Sequence, residues 1–173
     1  MELFEVVRRR RSVRAYQHRE VEQDKLHAIL ECLSAAPSAG NLQAYEIVVV
    51  REPEARQALG RAALGQAFVA QAPVVLVVFA NPGRSAEHYG RRGSELYAVQ
   101  DAAIAAAYAQ LAATDLGLAT CWVGAFRPEP VARLLRAPPG LVPVALVPLG
   151  YADEQPSRTD RRALVDLVHD EAF

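Results

Sequence analysis

The chain has 173 residues, of which 51% are hydrophobic and 23% charged, and its net charge is −1. This length and apolar fraction predict one folded domain over residues 1–173 with a sizeable core, and they exclude a disordered chain. The near-neutral charge disfavours a nucleic-acid partner, because nucleic-acid-binding domains carry an excess of basic side chains. No apolar run approaches the roughly 20 residues that a membrane span needs, so we expect no membrane partner.

The N-terminus and the cysteine content indicate the compartment. The first apolar residues precede the basic run at residues 8–11, whereas a secretory signal has the opposite order. Two cysteines, Cys32 and Cys121, are too few for a disulfide scaffold or a four-ligand zinc site, and we interpret both as small buried hydrophobes. We therefore expect a cytoplasmic location.

Apolar periodicity and turn residues predict helices and strands mixed along the whole chain. Helices are expected near residues 3–7, 21–36, 53–65, 94–116, 128–136 and 161–168. Strands are expected at residues 45–50, 74–80, 118–124 and 142–149, and residues 81–93 are expected to form a polar loop. This order indicates an α/β or α+β fold with a sheet covered by helices.

Two features of this pattern are unusual. Residues 74–80 are continuously apolar, which is typical of a strand buried on both faces. Residues 102–113 of the long helix are small and apolar on almost every side. A helix of that kind must be buried all round, so we expect it to pack between two subunits.

Several common kinds of site are absent from the sequence. The four histidines are scattered and no metal-binding spacing occurs, so we expect no metal site. No strand leads into a Gly-x-Gly-x-x-Gly turn, and the sequence contains no phosphate-binding Walker loop and no Gly-x-Ser-x-Gly nucleophile motif. A dinucleotide-binding domain of the usual kind is therefore not predicted.

Arginines near both ends form the first candidate site. In an extended segment, alternation places Arg10, Ser12 and Arg14 on one side, and guanidinium groups with a hydroxyl suit phosphate oxygens. A second basic cluster, Arg158, Arg161 and Arg162, follows Gly150-Tyr151. From charge alone, an anion site, a solvated basic surface and a nucleic-acid contact all stay open.

Two further segments complete a constellation. Residues 37–43 read Pro-Ser-Ala-Gly-Asn-Leu-Gln, and residues 121–126 read Cys-Trp-Val-Gly-Ala-Phe. With Arg-Arg-Ser-x-Arg-x-Tyr at 10–16, Gly-Gln-x-Phe-Val-x-x-Ala-Pro-Val-Val at 65–75 and Leu-Gly-Tyr at 149–151, the chain resembles the FMN-dependent nitroreductase family. The resemblance extends over nearly the whole chain.

The resemblance implies a fold and an assembly. It predicts an α+β three-layer sandwich with a mixed central sheet flanked by helices, in a homodimer with two FMN sites at the subunit interface. The long alanine-rich helix then belongs to that interface. The Gly-x-Gly-x-x-Gly turn is not needed, because in this family NADH or NADPH and the electron acceptor use the same face of the flavin in turn.

The resemblance also implies the residues of the cofactor site. The phosphate, ribityl chain and pyrimidine edge of FMN are expected to contact Arg10, Arg11, Ser12 and Arg14. Further phosphate contacts are expected from Arg161 and Arg162, or from Arg158. The benzenoid end of the flavin ring is expected to contact residues of the partner subunit, namely Pro37, Ser38, Ala39 and Asn41. The pyrimidine edge is expected to be read by Gln66, and the ring to be lined by Trp122, Val123, Gly124 and Ala125.

The activity implied is that of an FMN-dependent NAD(P)H oxidoreductase. A hydride passes to flavin N5 and the electrons then leave to a nitroaromatic, quinone or free flavin in a ping-pong cycle, and no catalytic side chain is required. Alternatives are a reductive dehalogenase or a flavin-using dehydrogenase on the same fold, and a non-catalytic flavin binder. An RNA-binding basic protein is disfavoured, because no aromatic side chains are interleaved with residues 8–11.

Overall fold

A computed structural model describes residues 2–173 of the chain. The helices are α1 Leu3–Arg9, α2 Gln23–Ser34, α3 Pro53–Ala62, α4 Phe68–Gln71, α5 Pro82–Arg92, α6 Ala98–Asp115 and α7 Pro128–Leu134. The strands are β1 Tyr45–Val50, β2 Val74–Ala80, β3 Ala119–Thr120 and β4 Val142–Gly150. Single turns of helix lie at Ala39–Asn41, Gly93–Tyr97 and Leu164–Asp166. Among residues 2–173, no helix is long and apolar enough to cross a membrane.

The four strands form one sheet in the order β1-β2-β4-β3, and every neighbouring pair is antiparallel. In the described part of the chain, parallel pairing enters through one bridge, between Ser12 and Thr120. The mixed character expected of the sheet therefore lies in the segment that carries the N-terminal arginines.

Strand β2 is the centre of the molecule, and all seven of its residues are buried, as predicted. Its side chains alternate between two cores. Val74, Leu76 and Val78 pack on one face with residues of α2 and α6. On the other face, Val75, Val77 and Phe79 pack with residues of α3, α4 and α7. Helices thus cover both faces of the sheet, which confirms the three-layer α+β sandwich.

Helix α6 lies on the sheet through a stripe of alanines. Ala102, Ala105, Ala106, Ala109 and Ala113 are at most 1% exposed, and their small side chains allow the helix backbone to approach the strands closely. The opposite face is open within one chain, so the helix is not buried all round in the monomer. Its open side carries Ile104 and Tyr108, which are 37% and 36% exposed, and Leu96 in the preceding turn is 36% exposed.

Three predicted elements differ from the structure. The segment at 81–93, expected to be a polar loop, contains helix α5. The strand expected at 118–124 is reduced to Ala119–Thr120 and a bridge from Val123 to Leu146. In the C-terminal segment, the expected helix is reduced to the turn Leu164–Asp166, because residues 157–173 lie exposed and no apolar face supports a longer helix.

Candidate functional site

The N-terminal arginine segment is fixed to the edge of the sheet by backbone hydrogen bonds. Ser12 bridges to Thr120, and the Val13 N–H donates to the Thr120 carbonyl oxygen at 3.0 Å. Val13 is buried and Arg14 is exposed, so the chain alternates as predicted, with Ser12 and Arg14 away from the core. The Tyr16 hydroxyl donates to the Val13 and Pro148 carbonyl oxygens at 2.8 and 3.3 Å, and burial raises its pKa.

A basic pocket forms where this segment meets the C-terminal segment. The cavity has a volume of about 450 Å³. Six arginines line it together with the hydroxyls of serine and threonine: Val7, Arg8, Arg10, Arg11, Ser12, Arg14, Pro156, Ser157, Arg158, Thr159 and Arg161. No carboxylate is among these lining residues. The donor set is that of an anion site, because guanidinium and hydroxyl groups donate hydrogen bonds to phosphate oxygens.

The two ends of the chain contribute differently to this basic pocket. Arg158 and Arg161 line it, and the Arg161 guanidinium donates to the Thr159 hydroxyl at 2.7 Å. Arg162 donates instead to the Asp166 carbonyl oxygen and is not among the lining residues. The structure thus places Arg158 and Arg161 at the pocket, and it places Arg162 outside.

A buried thiol lies beside the basic pocket. Cys121 is 1% exposed and follows β3 directly. Burial raises the pKa of its thiol, although the nearby Arg14 cation and a hydrogen bond with Ser12 act in the opposite direction. Cys121 is therefore the small buried hydrophobe that the sequence predicts, whereas Cys32 is only partly buried.

The segment after Cys121 carries the ring-lining residues that the resemblance implies. Trp122 is 37% exposed, whereas Val123 is 3% exposed and belongs to the core. Val123 exchanges two backbone hydrogen bonds with Leu146, at 2.9 and 3.0 Å. Gly124 lies under the indole, because a Cβ there would be 3.2 Å from Trp122 Nε1. Both backbone polar groups of Val123 are thus paired within the protein, while Trp122 and Gly124 present an open surface.

Gln66 joins the same edge. Its side-chain nitrogen donates to the Ala63 and Ala125 carbonyl oxygens at 2.9 and 3.0 Å. Two predicted site residues, Gln66 and Ala125, are therefore in direct contact. These two hydrogen bonds hold the side-chain amide in place, so they also fix the direction of its oxygen.

The loop at residues 37–41 lies at a second cavity. The Ser38 hydroxyl accepts from the Gln43 N–H at 3.0 Å, while Gly40 and Asn41 both have φ of +56°. The cavity has a volume of about 570 Å³. It is lined by Pro37, Ser38, Ala39, Tyr97, Gln100, Asp101, Ala103 and Ile104. Within one chain, this loop and the arginines line different cavities.

Asp101 is the residue of this region that sequence reasoning missed. It is 2% exposed, and its Oδ1 accepts from the Ala39 N–H at 2.9 Å. A signal was present, because Asp101 is the only charged residue between Glu95 and Asp115. Among residues 2–173, no group of three His, Cys, Asp or Glu side chains is arranged to hold a metal ion.

Comparison with known proteins identifies the family. The family model described as "Nitroreductase family" matches residues 7–70 and 62–151. An "NADH dehydrogenase" of Thermus thermophilus is 34% identical over 92% of this chain and 91% of its own length. An "FMN reductase" of Bacillus subtilis, described as using NAD(P)H, is 29% identical over 94% of this chain and 71% of its own.

A solved structure shares the fold over the full chain. B. megaterium NfrA2 superposes with a TM-score of 0.92 at 28% identity, covering 100% of this chain and 75% of that one. The fold, the matched family model and the relatives agree. The chain belongs to the nitroreductase family.

Proposed function

We propose that the chain is an FMN-dependent NAD(P)H oxidoreductase. The observation that carries the proposal is the pocket of six arginines and no carboxylate. The bridge from Ser12 to Thr120 fixes this pocket to the edge of the sheet, two residues before Trp122 in the chain. The printed names of the relatives, an NADH dehydrogenase and an FMN reductase, support the same activity.

The chemistry of the basic pocket fits the phosphate of FMN. A phosphate monoester carries a charge of about −1.5 to −2 at pH 7, and its oxygens accept hydrogen bonds from guanidinium forks and hydroxyls. Arg10, Arg11, Ser12 and Arg14 hold the phosphate end and the pyrimidine edge in this proposal, with Arg158 and Arg161 closing the pocket from the other end of the chain.

The remaining residues orient the ring. Trp122, Gly124 and Ala125 offer a surface at the edge of the sheet, and the missing side chain of Gly124 leaves its backbone N–H accessible. Gln66 stiffens that surface through its bond to Ala125. Arg14 would supply a cation to the pyrimidine edge of bound FMN, and a cation there would favour the reduced flavin.

Bound FMN supplies hydride acceptance from NADH or NADPH and electron delivery to a nitroaromatic, quinone or flavin in alternate half-reactions. In this scheme the residues of the chain bind and orient the flavin, and no side chain has to transfer a proton. The buried, neutral Cys121 thiol agrees with that assignment.

The proposed site is complete only in a homodimer. Loop 37–41 and the arginines line different cavities within one chain, so the loop serves the flavin of the partner subunit. The exposed apolar residue Ile104 lines the same loop cavity, and Tyr108 follows it one turn along α6. We assign this open face of α6 to the dimer interface.

An anaerobic visible spectrum tests the proposed activity. The protein is reconstituted with FMN, and spectra are taken before and after addition of NADH or NADPH. We expect retained flavin absorbance that bleaches with one of the two nicotinamides. Flavin that is bound but stays oxidised contradicts the reductase activity, and failure to bind flavin contradicts the whole proposal.

A further inference from the structure

Asp101 of helix α6 contacts the loop at residues 37–41. It lies in the first turn of α6, and its Oδ1 accepts from the Ala39 N–H at 2.9 Å. Both residues line the second cavity with Pro37 and Ser38. This hydrogen bond therefore ties the loop to the first turn of α6.

The other oxygen of that carboxylate has no partner. Asp101 Oδ2 is buried and receives no hydrogen bond. Among the ion pairs of residues 2–173, none includes Asp101. A buried ionised carboxylate with one unsatisfied oxygen is destabilising, so a purely structural acceptor for the Ala39 N–H would be better served by a neutral amide.

The field of the carboxylate reaches its neighbours because the surroundings are apolar. Ala102, Ala105 and Ala106 follow it on the buried face of α6, and charges interact more strongly where solvent is excluded. On strand β1, burial raises the pKa of Tyr45, and the nearby Asp101 charge raises it further.

We propose that Asp101 is a positioning residue for loop 37–41 and that its unpaired negative charge lowers the reduction potential of the flavin packed on that loop. The inference rests on the proposed function, in which the loop contacts the partner's flavin. Reduction adds negative charge to the ring, and a second negative charge nearby disfavours that state.

The substitution Asp101→Asn separates the positioning role of Asp101 from the effect of its charge. In Asp101→Asn, the amide oxygen keeps the acceptor for the Ala39 N–H, while the charge is removed. Asp101→Ala removes both, and Asp101→Glu keeps the charge. Asp24→Asn is the matched control, because Asp24 is an exposed aspartate on α2.

The midpoint potential of the FMN-loaded protein is the measurement, taken by equilibration with reference dyes, together with the dissociation constant of FMN. We expect Asp101→Asn and Asp101→Ala to shift the potential to more positive values, with Asp101→Glu and Asp24→Asn unchanged. We also expect FMN binding to weaken about tenfold in Asp101→Ala alone.

Two results overturn the inference. If the wild type, the three Asp101 variants and Asp24→Asn all have the same midpoint potential, the charge of Asp101 does not affect the flavin. If the potential shifts equally in all three Asp101 variants, including Asp101→Glu, the role of Asp101 is structural only. Failure of the wild-type protein to bind FMN overturns the proposed function itself, and is distinguished from these results by the absence of any flavin to titrate.

Discussion

Arg10 and Arg14 differ from ordinary surface arginines in their surroundings. Neither guanidinium has a carboxylate partner among the ion pairs of the described residues, and both line the basic pocket with four other arginines. Like charges gathered in this way repel one another, and an anion relieves the repulsion. The phosphate of bound FMN would therefore relieve the repulsion among the arginines of the basic pocket.

The double substitution Arg10→Ala with Arg14→Ala tests their role. A hydrogen bond to a charged group contributes about 1.5–3 kcal/mol, and each 1.4 kcal/mol is about tenfold in affinity. We therefore expect the dissociation constant of FMN to rise about 100-fold or more, measured by fluorescence titration. Arg133→Ala, on the exposed side of α7, should keep wild-type affinity. Full flavin occupancy in the double variant contradicts the phosphate assignment.

Gly150 is a position where close packing excludes any side chain. A Cβ there would lie 2.6 Å from Pro73 Cδ and 3.2 Å from Tyr16 Cδ1. Since overpacking costs about 1–3 kcal/mol, we expect Gly150→Ala to lower the thermal midpoint by several degrees. Gly83→Ala is the control, because its Cβ would meet nothing closer than 3.8 Å, and it should not destabilise. Equal midpoints for Gly150→Ala and the wild type contradict the packing argument.

At the scale of elements, helix α5 shows where sequence reasoning fails. Pro82, Gly83, Gly90 and Gly93 suggest a loop, because proline and glycine interrupt most helices. In the structure Pro82 takes the first turn, where its missing N–H costs nothing, and the Asn81 side chain accepts from the Arg84 N–H at 3.1 Å. Gly90 adopts φ of +56° and allows the kink, while Ser85 packs directly on Gly93.

The elements with strong periodicity were predictable from the sequence. Strand β2 and helix α6 follow from runs of apolar residues, since burial decides both. The arginine pocket was predictable from residue types, but the outward turn of Arg162 depends on the backbone of an exposed segment that has no periodicity. Asp101 was missed because a lone acidic residue in an alanine-rich helix gives no indication of its hydrogen-bond partner.

Helix α2 is tied to the end of β4 by a polar cluster. The Tyr151 hydroxyl lies 2.8 and 2.6 Å from the two carboxylate oxygens of Glu22, and Lys25 Nζ donates to that hydroxyl at 2.8 Å. The guanidinium of Arg19 stacks on the ring, 3.6 Å from its centroid. The hydrogen bond from Tyr151 is the main cause that lowers the pKa of Glu22 to about 2.

This cluster predicts a pH dependence. Because the pKa of Glu22 is lowered on folding, its contribution to stability is present above the usual pKa of 4.5 and is lost as the pH falls towards 2. We expect Tyr151→Phe and Glu22→Gln to lower the urea midpoint at pH 6, and the gap to the wild type to narrow by pH 3. Glu129→Gln, an exposed acid on α7, should follow the wild type at both values. A gap that is constant with pH contradicts the assignment.

For the whole molecule, the open face of α6 is the feature that one chain leaves uncovered. Ile104 and Tyr108 are four residues apart on this face, so their side chains form one apolar ridge. An exposed apolar ridge beside a cavity is typical of a protein interface. The proposed dimer buries this ridge and brings loop 37–41 to the partner's site.

Ile104→Glu tests the proposed dimer. A charge at the centre of an apolar interface is desolvated without a partner, which costs several kcal/mol. We expect a dimer for the wild type and a monomer with much weaker FMN binding for the variant, measured by sedimentation. Leu134→Glu on α7 is the control, since Leu134 is 36% and Ile104 37% exposed. A wild-type monomer, or an Ile104→Glu dimer, contradicts the assigned interface.

The basic pocket takes its arginines from residues 8–14 and from residues 156–161, near opposite ends of the chain. During synthesis the first set leaves the ribosome before the second. Because the proposed anion site does not exist until both sets have met, FMN bound there could not guide the early stages of folding. It would stabilise only chains that carry both sets, and a product truncated before Arg158 would lack this source of stability.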